Sequence, residues 1–167
     1  MYGHFPPGVF RYLLIGQAVI PFFINVVVNV SLGVLAFRGR EFVSTWAMDK
    51  GAVADTIGTC FFLPFITCLI VTPIVRRHVA KGVVNRVAPK AAPNWMRLIN
   101  NRLALRAAQF GFIGIVLLAV PVYGLYALLA DDAIETARFI GIKAIFAGVL
   151  GFFVTPVIAI VALSERR

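Results

Sequence analysis

Four stretches of the chain, residues 12–37, 56–75, 107–130 and 144–164, carry no charged side chain. At about 1.5 Å of rise per residue, each is long enough to cross the roughly 30 Å hydrocarbon core of a bilayer as a helix. A water-soluble fold of 167 residues cannot bury four such runs, with 60% of the chain hydrophobic and only 14% charged. The expected fold is all-α and integral to a membrane, with four transmembrane helices. The first run contains Pro21 and is not followed by a small-x-small cleavage site, so it is expected as a retained span rather than a removable signal.

The charges are sorted between the spans. From Arg76 to Arg106 the chain carries eight of its sixteen Lys/Arg residues and no Asp or Glu. With four spans, Arg11, these eight cations, Arg166 and Arg167 fall on one side, eleven positives against the single acid Glu165. The other side holds Arg38, Arg40, Lys50, Arg138 and Lys143 with six acids. The positive-inside rule then puts both termini and the basic connector in the cytoplasm, an N-in/C-in, multi-pass protein of a bacterial inner (plasma) membrane. A net charge of +9 would suggest nucleic acid for a soluble protein, but this distribution excludes that partner and points to lipid.

The expected organisation is a first transmembrane hairpin over residues 1–77, a connector over 78–106 and a second hairpin over 107–167. Within the connector, Trp95, Met96, Ile99 and Leu103 share one face, predicting a surface-lying amphipathic helix over 94–106 that begins after Pro93. Arg76, Arg77, Lys81, Arg97, Arg102 and Arg106 are its candidate contacts to anionic headgroups. The competing reading is that these charges only set orientation. In the outer loop, Phe42, Trp46 and Met48 have the spacing of a short interfacial amphipathic segment, and Lys143 is expected to snorkel to the outer headgroups.

Two kinds of stripe recur every four residues within the spans. Gln17, Pro21, Asn25, Asn29 and Gly33 put amides on one face of the first span, where lipid offers no partner. Thr56, Cys60, Pro64, Cys68 and Thr72 make a face of small side chains and helix-breaking proline on the second span, and Lys143, Ala147, Gly151, Thr155 and Ala159 a similar one on the fourth. The simplest expectation is that the amides of the first span face the Thr hydroxyls of the second within one hairpin, or join it to a second copy. Cys60 and Cys68 lie about 12 Å apart along a helix, too far for a mutual disulfide.

A shift of 91 residues superposes the first span on the third and the second on the fourth without gaps. It carries Arg11 onto Arg102, Gly33 onto Gly124, Thr45 onto Thr136, Phe61 and Phe62 onto Phe152 and Phe153, and Arg76 onto Arg167. This implies a parallel repeat of two tandem hairpins. The amide stripe is not repeated, since Gln17, Asn25 and Asn29 fall on Ala108, Val116 and Val120.

Residues 20–77 faintly resemble a family of uncharacterised bacterial two-span membrane proteins. The resemblance rests on Asn29, Gly33, Phe42, Trp46, Phe62, Pro64, Pro73, Arg76 and Arg77. It implies the hairpin topology and no activity, and the second hairpin lacks the matching Asn and Trp.

No phosphate-binding glycine loop, metal-ligand spacing or activated nucleophile occurs, so neither an enzyme nor a cofactor is expected, bound lipid aside. The acids read as solvated loop charges. The favoured function is a structural or accessory subunit of a membrane assembly, touching itself or other membrane proteins. The first alternative is a small transporter or channel lined by the amide face, and the second a lipid-handling protein.

Overall fold

The computed structural model of the chain describes residues 8–87, 94–129 and 131–165. Arg166, Arg167 and the Pro89–Pro93 break lie outside the described residues, as does the side chain of Arg97. Four helices among those residues are long and apolar enough to cross a membrane: α1 (Val9–Ala36), α2 (Ala52–Ala80), α3 (Leu103–Leu129) and α4 (Thr136–Leu163). Each is longer than its charge-free stretch, because helical hydrogen bonding continues through Arg11, Asp55, Arg76, Arg77, Arg106, Arg138 and Lys143 at their ends.

Local chemistry sets the helix shapes. In α1, residues Tyr12–Val19 form a π-helix ahead of Pro21, and the N–H of Ile20 reaches back to the carbonyl of Ile15. Pro64, Pro73, Pro121 and Pro156 sit inside the other helices, each removing one backbone donor. α2 closes in a Schellman arrangement: Gly82 takes a φ of 73°, its N–H reaches Val79 and the N–H of Val83 reaches His78.

The helices pack across the chain rather than in consecutive pairs. α1 lies along α4, α2 lies along α3, and α2 and α4 meet at the centre, while α1–α2 and α3–α4 make almost no contact. α4 is the hub, half of its apolar window being buried against 17% for α1. Glycine decides these approaches. Gly148 admits Phe22 and Val26, Gly151 admits Asn25, and Gly33 admits Ile140 in the α1–α4 pair; Gly111 admits Phe61 in the α2–α3 pair. The expectation that the amide stripe of the first span faces the second span is thus corrected. The small face of α4 is open to α1, whereas α2 is covered by α3 and α4.

Where Phe42, Trp46 and Met48 suggest an amphipathic segment, the loop between α1 and α2 instead forms strand β1 (Phe42–Ser44), paired antiparallel with β2 (Ala133–Glu135). The residues alternate out, in, out, and the β-branched Val43 and Ile134 turn inward onto Phe37, Val122, Tyr126 and Phe139. Val43 opposes Ile134 at the centre of the register. On either side the Thr45 N–H donates to the Asp132 carbonyl at 2.9 Å and the Thr136 N–H to the Glu41 carbonyl at 3.0 Å. A shift of 91 residues carries Val43 to Ile134, Thr45 to Thr136 and Glu41 to Asp132, so this pairing maps onto itself.

At the other end the expected helix over 94–106 is broken. Asn94–Leu98 is a single 3-10 turn, and α3 begins only at Leu103. Asn100 makes the break: its side-chain oxygen accepts from the Arg102 N–H at 2.8 Å and its own N–H donates to Gln109 Oε1 at 2.7 Å. These bonds offer the backbone a turn in place of the helical ladder.

Candidate functional site

The buried polar groups gather at three levels of the bundle. At the end carrying β1 and β2, Lys143 of α4 forms an ion pair with Asp55 of α2. Lys143 is 6% exposed, so it turns into the bundle instead of snorkelling outward. Beside it the Thr56 hydroxyl meets the Tyr126 phenol at 3.0 Å and donates to the Ala52 carbonyl at 2.8 Å, joining α2 to α3. Burial of the Lys143 charge is tolerable only when it is paired, and Asp55, with 27% of its side chain exposed, supplies the partner from the rim of the bundle.

In the middle, Asn29 and Gln17 are buried and Asn25 is half-buried against Gly151. The amide N–H of Asn25 donates to the Pro21 carbonyl at 2.8 Å and that of Asn29 to the Asn25 carbonyl at 2.9 Å. These donors are satisfied within α1 itself and not by Thr hydroxyls. Cys60, Cys68, Thr72, Ala147, Thr155 and Ala159 are all fully buried along the α2 and α4 faces, and both thiols are free. The Thr155 hydroxyl has no hydrogen-bond partner among the described residues.

At the connector end, Glu165 accepts from two arginines. Arg76 of α2 approaches it through Nε at 2.7 Å and through Nη2 at 3.1 Å, and Arg106 of α3 through Nη1. Arg106 is 1% exposed and also donates to the Asn100 carbonyl at 3.0 Å. Met96, Ile99 and Leu103 pack onto Cys68, Phe110 and Ile158 beneath this triad, while Val84 and Val87 cap Val9, Leu13 and Leu163. Tyr12 and His78 add a hydrogen bond of 2.9 Å between α1 and α2.

Of the expected headgroup contacts, Arg77, Lys81 and Arg102 are exposed, whereas Arg106 and Arg76 are engaged with Glu165. Glu165 and Asp55 are both expected as solvated charges, but each is partly buried and paired with a cation. The signal for Glu165 was present, since a lone acid on a side with eleven cations has every reason to be paired. Tyr126 has no signal in the sequence beyond its place near the end of the third charge-free stretch.

Burial pushes the Glu165 carboxyl up, but the guanidinium groups of Arg76 and Arg106 together outweigh it and hold the group below its ordinary 4.5. A depressed carboxylate favours the folded state when ionised, so its contribution is complete above the ordinary value and is lost as pH falls below it. An acid titration of thermal stability in detergent should therefore fall below about pH 4.5 more steeply for the parent than for Glu165→Gln.

Among the described residues no three His, Cys, Asp or Glu side chains come together to hold a metal ion. No family model matches the chain, and neither a curated protein nor a solved structure matches it.

Proposed function

We propose that this protein is a structural or accessory subunit of a membrane assembly, built as two tandem hairpins that clasp one another. The observation that carries the reading is how its embedded polar groups are used. Asp55–Lys143, Thr56–Tyr126 and the Arg76–Glu165–Arg106 triad each join an element of the first half to one of the second. Polar groups committed to one another fix a rigid body, while large apolar side chains such as Phe23, Val27, Val116 and Val120 face outward. The self-mapping register of β1 and β2 supports the tandem repeat.

The charge asymmetry supports a cytoplasmic connector in a bacterial inner membrane. Arg77, Lys81 and Arg102 then meet anionic headgroups, each contributing about 1 kcal/mol near the surface. Partners would dock on the outer surfaces of the helices, because Gly33, Gly111, Gly114, Gly148 and Gly151 are already occupied within the chain.

Affinity capture of the native protein in mild detergent tests this. Recovery of a stoichiometric membrane partner, or of a defined oligomer, is the expected result. A monomer that is recovered alone and moves a polar solute across reconstituted vesicles would replace this reading with the transporter one.

A further inference from the structure

Between α1 and α4 lies a cleft of about 290 Å³ lined only by Val19, Phe22, Val149, Phe152 and Phe153. Its position across the 91-residue shift is instructive, because the corresponding place between α2 and α3 is filled. There Phe61 stacks on Phe65 with ring centroids 5.6 Å apart and meets the edge of Phe112 at 5.3 Å. The shift carries Phe61 to Phe152, but it carries Phe65 to Pro156 and brings Phe112 back to Pro21. Two of the three rings that meet on one side are thus prolines on the other, and Phe110 is replaced by Val19, which lines the cleft.

Its depth selects what enters. Val19 is eight residues from Arg11 at the connector end and seventeen from Ala36, and Phe152 is eleven residues from Leu163 and sixteen from Thr136. At that depth the surroundings are hydrocarbon, and the nearer interface is the basic one. Arg11 is exposed at the end of the same helix. We propose that the cleft seats one acyl chain of an anionic phospholipid from the connector-side leaflet, with its headgroup at Arg11. An acyl chain gains no hydrophobic free energy on leaving bulk lipid, so shape fit to the cleft and charge at Arg11 must supply the preference. This goes beyond the subunit reading and does not depend on it.

The test counts phospholipid retained by the full chain, using native mass spectrometry after detergent delipidation and re-addition of phosphatidylglycerol or phosphatidylcholine. One phosphatidylglycerol per chain is expected to remain. Val149→Phe, which restores bulk to the cleft without touching the ion pairs, should weaken retention about tenfold, a loss of about 1.4 kcal/mol, while leaving thermal stability unchanged or raised. Val19→Phe repeats the test from the opposite wall should the first variant fold poorly. Arg11→Gln should keep the seat but lose the preference for phosphatidylglycerol. Equal retention by the parent and both filled variants would place the lipid elsewhere and overturn the proposal, as would a parent chain that retains none.

Discussion

Replacing Glu165 with alanine is expected to destabilise the bundle by about 3 kcal/mol, the lower end of the cost of removing one partner from a buried ion pair. Arg106 is the reason. It is 1% exposed, and among the described residues its guanidinium meets only the Asn100 carbonyl besides Glu165, so the substitution leaves a nearly unpaired charge at the connector end. Arg76, with 28% of its side chain exposed, can turn to water and adds less. The same physics predicts a rescue. Glu165→Ala combined with Arg106→Met should recover most of the loss, because replacing both partners by apolar groups is near neutral where removing one is not. Thermal unfolding in detergent, run as a double-mutant cycle, measures both effects. A Glu165→Ala chain as stable as the parent would mean that the triad contributes nothing.

Gly114→Val is expected to cost as much or more, for a steric reason. A Cβ on Gly114 would overlap the carbonyl oxygen of Cys60, and backbone at that point has nowhere to go. The Cys60 carbonyl lies four residues before Pro64, whose missing N–H leaves it without a helical donor, and the glycine lets α3 close over it. Any side chain at Gly114 must push α3 away from α2 along their shared length. Overpacking of this kind costs about 1–3 kcal/mol where neighbours can yield, and more where they are backbone. Gly124 is the control, because a Cβ there meets nothing within 4 Å. Gly124→Ala should cost nothing and gain up to about 1 kcal/mol, the helix-propensity difference between the two residues. Similar losses at both positions would show that helix composition, not the contact with Cys60, sets the cost.

Much of the architecture was legible because bilayer physics writes it in one dimension. Charge-free runs longer than a hydrocarbon core read as candidate spans, and four helices long and apolar enough to cross a membrane stand where those runs are. Periodicity then says which residues share a face, but not what the face meets. Gln17, Asn25 and Asn29 do share a face, yet Asn25 meets Gly151 of α4 and Gly33 of the same stripe meets Ile140, because the choice of neighbour depends on which helix can approach closest. Charge counting has a related limit. It assigns Asp55, Lys143, Arg106 and Glu165 to the surface because each flanks a span, whereas pairing lets Lys143 and Arg106 turn inward against partly exposed carboxylates. The 91-residue shift held more than it was used for. Asp55 and Lys143 are 88 positions apart and Arg76 and Glu165 are 89, so residues separated by nearly one repeat lie at the same depth on the two central helices.

The central claim is that the two halves complete one another, α1 on α4 and α2 on α3, so that neither is a folding unit. Cutting the chain between Val87 and Asn94 and producing both pieces in one cell tests it most directly, with only the first piece tagged. The account predicts that residues 1–87 and 94–167 are recovered together at one to one, and that Glu165→Ala in the second piece loosens the pair. Recovery of each piece alone as a stable, protease-resistant hairpin, with no association between them, would contradict it.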